Sequence, residues 1–400
     1  MNPNLTQLFE IVQKPQRRII GLMSGTSMDG LDVALCQISG SGSETQVRLE
    51  AFETVSFSGE TKDEIRQIFA KKQIDFQHLT LLNAWIGRLH GQLVLQCLEK
   101  WQLKPQDVDI VASHGQTVFH APKILHQLEK YPNATLQIGD GDHVAVETGI
   151  ITISDFRQKH VAAGGEGAPL AVYGDYFIFS EKGENRIMLN MGGIANFTYL
   201  PGNLRSEEVF VTDTGPGNTL IDALARKYFN LPYDDGGRIA ASGKVSQELL
   251  ESLKENPFFA GPIPKTTGPE LFSLEYVQQA QNDSLTTQLA SADVMATLAR
   301  FSAETIAEAI LKACESVEKY VIYMSGGGMH NPVLTQHLRH LLPHFSFHST
   351  NELGILGDAK EAVLFAILAN ETLVGGGTSF GSRQGVPTVA MGKISFPRWG

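Results

Sequence analysis

Arg18-Ile19-Ile20-Gly21-Leu22-Met23-Ser24-Gly25-Thr26-Ser27-Met28-Asp29-Gly30-Leu31-Asp32-Val33-Ala34-Leu35-Cys36 is the stretch on which the reading of the fold turns. Two apolar runs flank a glycine-rich turn, so it reads as a strand, a turn and a second strand. Gly25 and Gly30 have the spacing of a phosphate loop, but Leu31 stands where a Walker loop needs lysine, and a strand follows where that loop needs a helix. What remains is either a tight turn or a hairpin whose amides and hydroxyls cradle phosphate, with Asp29 or Asp32 holding water or Mg2+.

The layout recurs at Arg186 to Leu200, where an apolar run, Gly192-Gly193 and a second run follow one another. Outward from the two hairpins the chain alternates. Leu82, Ile86, Leu89 and Leu93 place one apolar stripe on a helix within 75–101. Val108 to Ala112 reads as a buried strand that stops at Ser113-His114-Gly115-Gln116-Thr117. Glu208 to Thr212 reads as a strand ending at Asp213, with Asn218 capping a helix through Tyr228 and Ser291 capping a longer one. Val321 to Met324 is a strand leading through Gly326-Gly327-Gly328 to a helix that Asn331 and Pro332 open. A last helix from Asp358 to about Leu373, a loop at Gly375-Gly376-Gly377 and a strand near 387–391 close the chain.

Composition narrows the classes. The 400 residues are 42% hydrophobic and 19% charged, which is globular, and the length fits two domains. A net charge of −11 argues against nucleic acid and anionic membrane as partners. Cys36, Cys97 and Cys314 are odd in number and far apart, which points to a reducing compartment. Met1 to Arg18 has no secretory pattern and no 18-residue apolar stretch follows, so the cytoplasm is the expected location.

Three further motifs carry candidate chemistry. The triple glycine at 326–328 lets backbone approach a nucleotide, or simply turns a strand into a helix. Asp213, backed by Gly215-Pro216-Gly217, suits a general base or a side chain that bonds turn amides. Arg157, beside the glycine-rich loop 164–169, offers a fork for a carboxylate or forms a structural ion pair with Asp155. No pair of the twelve histidines has metal-site spacing with a carboxylate on a helix.

Taken together, Gly21 to Gly30, Ser113 to Thr117, Asp155 to Arg157, Gly164 to Pro169, Asn190 to Gly193, Asp213 to Asn218 and Gly326 to Gly328 resemble the anhydro-N-acetylmuramic acid kinase family along nearly the whole chain. The resemblance implies an α/β protein of two duplicated actin-like (RNase H-like) domains with an interdomain active-site cleft. They would span 1–160 with a return of 376–400, and 161–375. It implies an ATP-dependent kinase that opens the 1,6-anhydro ring of anhydro-N-acetylmuramic acid with water and phosphorylates the 6-oxygen in cell-wall recycling. Its cofactors would be ATP and Mg2+ and its partners the sugar and ATP, with room for a homodimer. On that basis Asp213 is the base, and Gly25, Thr26, Ser27, Met28, Asp29, Gly30, Leu31 and Asp32 with Gly192, Gly193, Gly326, Gly327 and Gly328 bind nucleotide. Asp29 would hold the metal, and Gln116, Thr117, Arg157 and Glu361 would contact the sugar. Glu166, His160 and Pro269 depart from the family pattern. A kinase for an ordinary amino sugar and a non-catalytic actin-like module are the alternatives.

Overall fold

The computed structural model describes residues 2–168, 170–268, 270–314, 319–355, 357–376, 378–381 and 386–398. Pro269, Pro169 and Gly377 lie outside them. The strands are β1 (Gln16–Ser24), β2 (Gly30–Ser39), β3 (Gln46–Ser56), β4 (Ile110–Ala121), β5 (Ala134–Ile138), β6 (Thr152–Ser154), β7 (Asn185–Met191), β8 (Ile194–Leu200), β9 (Phe210–Pro216), β10 (Tyr320–Ser325), β11 (Ser346–Ser349) and β12 (Lys393–Ser395).

Two compact units result, one of residues 1–179 with 354–400 and the other of 180–353. In the first, the sheet runs β12-β6-β4-β1-β2-β3, with β5 added to the far end of β4. In the second it runs β11-β10-β7-β8-β9. Both begin with three antiparallel strands and continue with strands parallel to the first of them. This is the α/β duplication that the two glycine hairpins imply. The helices Ala171–Phe179 and Lys360–Val374, which the sequence suggests for the second domain, belong to the first unit.

In the first unit Asp75 caps the helix Phe76–Lys100 by accepting the amides of Gln77 and His78. Leu82, Ile86 and Leu93 of that helix are buried and pack in one core with Ile20, Leu22, Leu31 and Val33 of the hairpin. The alternate residue Gly21 faces the opposite side, where a Cβ would collide with the carbonyl of Ala362. Glycine there is what lets the helix Lys360–Val374 lie on the sheet. In the second unit the helix Ser291–Ala313 buries Met295, Leu298, Phe301 and Ile306 against Ile187, Leu189 and Phe197.

Several boundaries differ from the sequence reading. β4 does not stop at Ser113 but bends at Gly115, which has φ of +79°, and exchanges partners there, from β1 and β6 to β5. A Cβ at 115 would lie 2.6 Å from the carbonyl of Ile138, so the polar cluster marks a kink rather than an end. β9 runs through Asp213 to Pro216, because the turn behind it pairs with Ile194 and Ala195. Asn218 precedes a helix of Thr219–Leu224 continued by a π-turn at Ala225–Phe229, yet its side chain makes no cap; Ser291 is the first helical residue, after Ala290. The closing strand is β12, not 387–391. Asn331 does cap the helix Pro332–Leu341, through the amides of Val333 and Leu334.

Candidate active site

The turn between β1 and β2 presents Thr26, Ser27 and Asp29 to solvent, with Gly25, Met28, Gly30 and Asp32 half-buried. Leu31 is fully buried in the core, so only its backbone is available to a ligand. Met28 takes the left-handed conformation, φ 57°, and its amide donates to the carbonyl of Gly25 at 3.3 Å. Gln116, fully buried, holds the turn from behind: its Nε2 donates to the carbonyls of Gly25 at 3.0 Å and Thr117 at 3.1 Å, and its Oε1 accepts from Ser24 Oγ at 2.5 Å. Its amide is thereby committed to the loop. Thr117 is half-buried, its hydroxyl accepting from Gln137 at 3.3 Å. Asp32 accepts from Thr54 at 2.6 Å, and burial, with Asp358 nearby, raises its carboxyl above the usual value against the pull of Thr54.

Arg157 is the centre of a second cluster in this unit. Its Nε donates to His114 Nε2 at 2.8 Å and its Nη1 to the carbonyl of Gly167 at 2.7 Å. A guanidinium can only donate, so Nε2 of His114 carries a lone pair and Nδ1 carries the proton, which it gives to the carbonyl of Gly115 at 2.8 Å. Burial and the Arg157 charge hold this imidazole well below its ordinary pKa, hence neutral. The amide of Gly167 donates to His160 Nδ1 at 3.0 Å, so Arg157 and His160 hold the glycine loop at successive peptides. Burial pushes the His160 imidazole down to about 4. Asp155 pairs with Lys393 at 2.5 Å, not with Arg157, which leaves the guanidinium's remaining edge for another acceptor. Glu361, in the first turn of the helix Lys360–Val374, is reached by solvent, yet the protein around it raises its carboxyl, an effect that Arg157 and Lys360 oppose.

In the second unit three glycine segments meet. The carbonyl of Gly193 accepts from the amides of Gly217 at 2.8 Å and Thr219 at 3.1 Å, and that of Gly192 accepts from Asn218 at 2.8 Å. Asn218 Nδ2 donates to the carbonyl of Met191 at 3.0 Å, which is why it does not cap its helix. Gly326 has φ of +79°, and a Cβ there would lie 2.7 Å from both Asn190 Oδ1 and the Met191 carbonyl. One at Gly328 would lie 2.7 Å from Met191 Cβ. Gly192, Gly193, Gly326, Gly327 and Gly328 are thus gathered around the end of β7.

Asp213 lies on β9, braced by a segment 54 residues away in sequence: Thr267 N donates to its Oδ2 at 2.8 Å. Its amide donates to the Lys265 carbonyl at 2.9 Å, and the Lys265 amide donates to Thr212 Oγ1 at 3.0 Å. Burial raises the Asp213 carboxyl above the usual aspartate value, opposed by the Thr267 amide. A carboxylate with one oxygen fixed by an amide and a raised proton affinity has the properties a general base needs. Sequence reasoning missed this brace, the Arg157–His114 bond and the His160 contact, because each depends on folding rather than spacing. Among the described residues no group of three His, Cys, Asp or Glu side chains converges as a metal site.

The sequence model of the family described as Anhydro-N-acetylmuramic acid kinase matches residues 17–393. The chain belongs to the anhydro-N-acetylmuramic acid kinase family. As such it is an ATP-dependent carbohydrate kinase. An anhydro-N-acetylmuramic acid kinase of Pseudoalteromonas atlantica is 57% identical over 400 residues, 99% of this chain and 100% of the relative. One of Caldanaerobacter subterraneus is 36% identical over 397 residues, 98% of this chain and 100% of the relative. Among solved structures, the activator of the 2-hydroxyisocaproyl-CoA dehydratase from Clostridium difficile with bound ADPNP aligns at 13% identity and a TM-score of 0.39, over 89% of this chain and 95% of that one. No helix among the described residues is long and apolar enough to cross a membrane.

Proposed function

We propose that this kinase uses ATP and water to convert 1,6-anhydro-N-acetylmuramic acid into N-acetylmuramic acid 6-phosphate and ADP, in the cytoplasm, as a step of cell-wall recycling. The observation that carries the catalytic assignment is the braced carboxylate of Asp213. Its free oxygen takes a proton from water as the water oxygen bonds to the anomeric carbon. The bond from that carbon to the bridging oxygen breaks, and that oxygen, which stays on C6, bonds to the γ-phosphorus as the bond from the phosphorus to the ADP oxygen breaks. Placement and charge neutralisation do most of the work of such a transfer.

The glycines of the second unit, 192, 193 and 326–328, form the nucleotide cradle in this reading: Gly326 and Gly328 let their segment pack on the end of β7, while Gly192 and Gly327 leave backbone open to the ligand. The turn 25–32 supplies amides and the hydroxyls of Thr26 and Ser27 to the phosphates. Asp29, exposed and near the turn's tip, with Asp32 behind it, would hold Mg2+, which binds through one or two carboxylates and the phosphates themselves. That fits the described residues, among which no ready-made metal cage occurs, and the ion would supply charge neutralisation on the phosphates. Arg157 faces the lactyl carboxylate, and Thr117 and Glu361 bond the sugar, while Gln116 acts through the loop that it holds.

Formation of ADP and sugar phosphate from Mg-ATP with the anhydro sugar, beside N-acetylmuramic acid and N-acetylglucosamine, tests this. Turnover of the anhydro sugar alone is expected. Phosphorylation of a plain sugar instead would remove the water-activating role of Asp213.

A further inference from the structure

The first unit contains a half-open cavity of about 500 Å³ that the proposed reaction does not use. It is walled by the start of the helix Phe76–Lys100, the start of the helix Gly141–Thr148, the kink of β4 and the ends of β5, β6 and β12. At the β4 wall stands Ser113, fully buried, whose hydroxyl has no hydrogen-bond partner. Leaving such a group unpaired costs about 1–3 kcal/mol, so it calls for an occupant. Gly141 lets the start of its helix lie against β6 and β12, since a Cβ there would collide with Ser154 Oγ and come within 3.2 Å of Ser395 Oγ.

The remaining walls offer hydrogen bonds of both senses. Asn83 spends its Oδ1 on the amide of Gly139 at 2.9 Å, which leaves its NH2 as a donor. Gln158 spends its Nε2 on the carbonyl of Thr135, which leaves its Oε1 as an acceptor. Leu79, Leu136 and Ile138 add an apolar side. Asp140, Asp142 and Asp155 outnumber the one cation, Lys393, which already pairs with Asp155. An excess of carboxylates repels phosphate and carboxylate ligands, whereas mixed donors and acceptors beside an apolar wall suit a ring with hydroxyls on its rim and C–H bonds on its face.

We propose that this cavity is a second ligand site, for a neutral saccharide, separate from the sites for ATP and the anionic sugar. It does not depend on the reaction assigned above. Its β4 wall, Ser113 to Gly115, includes His114, which orients Arg157, so an occupant sits one residue from the brace of the proposed carboxylate clamp.

The test is isothermal titration of the full chain with N-acetylglucosamine, beside inorganic phosphate. Saturable binding of the sugar is expected, retained in Arg157→Ala and weakened about tenfold both in Ser113→Ala, which removes the unpaired hydroxyl, and in Thr80→Trp, which fills the cavity mouth from an exposed position. Thr80→Trp that fails to fold leaves Ser113→Ala as the deciding variant. Loss of binding in Arg157→Ala, or its displacement by the anhydro sugar, would assign the site to catalysis and overturn the proposal. So would absence of saturation, unchanged affinity in Ser113→Ala, or binding of phosphate instead.

Discussion

The two units carry the same hairpin at the same place in their respective sheets, and build its turn in opposite ways. In the first unit five residues, 25–29, separate β1 from β2, and one side chain, Gln116, holds the turn from behind. In the second, two glycines separate β7 from β8, and backbone amides of 217–219 fix both of their carbonyls. The first turn keeps exposed hydroxyls and room to adjust; the second is set before a ligand arrives. In the proposed reading the duplicated fold divides labour, with a conforming phosphate turn in one half and a preorganised cradle and base in the other.

That contrast breaks most completely at Asp213. Asp213→Asn keeps the size and loses the proposed base, and is expected to reduce kcat by about 10²- to 10⁴-fold with ATP affinity unchanged within about threefold by titration. The acid limb of wild-type kcat against pH should lie above the ordinary aspartate value of 3.8, because a raised pKa keeps the base protonated, and inactive, to higher pH. A limb at or below that value would contradict the assignment. Gly217→Ala attacks the rigid turn, since its Cβ would collide with the Gly192 carbonyl. A stability loss of about 2 kcal/mol or more in urea unfolding is expected.

Gln116→Ala attacks the conforming turn. It takes one of two donors from the Gly25 carbonyl, leaves Ser24 Oγ only the Gly30 carbonyl at 3.3 Å, and should raise KM for ATP about tenfold, the equivalent of about 1.4 kcal/mol. An unchanged KM would mean that the turn does not touch the nucleotide. Arg157→Lys keeps charge but cannot hold His114 and Gly167 together, so KM for the sugar should rise several-fold while kcat holds.

The histidines sharpen the comparison through pH, since His90, His114 and His160 are all buried in the first unit. His90 and His160 are held down to about 4 by burial, with the Arg157 charge contributing at His160. A depressed histidine binds fewer protons folded than unfolded, so stability is intact above about pH 6.5 and falls as pH drops from there towards 4. His90, stacked on Phe57, has no hydrogen-bond partner for either ring nitrogen. His90→Leu should remove part of that acid sensitivity, on the order of 3 kcal/mol at its limit, as read by urea midpoints at pH 7 and pH 4.5. An unchanged pH slope would place the sensitivity elsewhere.

The hairpins were legible in the sequence because short apolar runs on either side of a glycine turn favour paired strands, and the duplication followed from finding them twice. The course of β4 was not, because Ser113 to Thr117 is polar and looks like a strand's end; only its pairing with β5 carries the chain onward. Single candidate residues were legible as residue types, but their settings were not. Gln116 turned inward to serve the loop, and Asp213 gained its brace from Thr267, a partner that no local pattern specifies.

The coupling of water attack to phosphoryl transfer can be read directly by running the reaction of the anhydro sugar and ATP in heavy-oxygen water and quenching before the anomeric hydroxyl exchanges. One heavy oxygen on the anomeric carbon and none in the sugar phosphate is the predicted result. Label appearing in phosphate released from ATP, or none on the sugar, would contradict it.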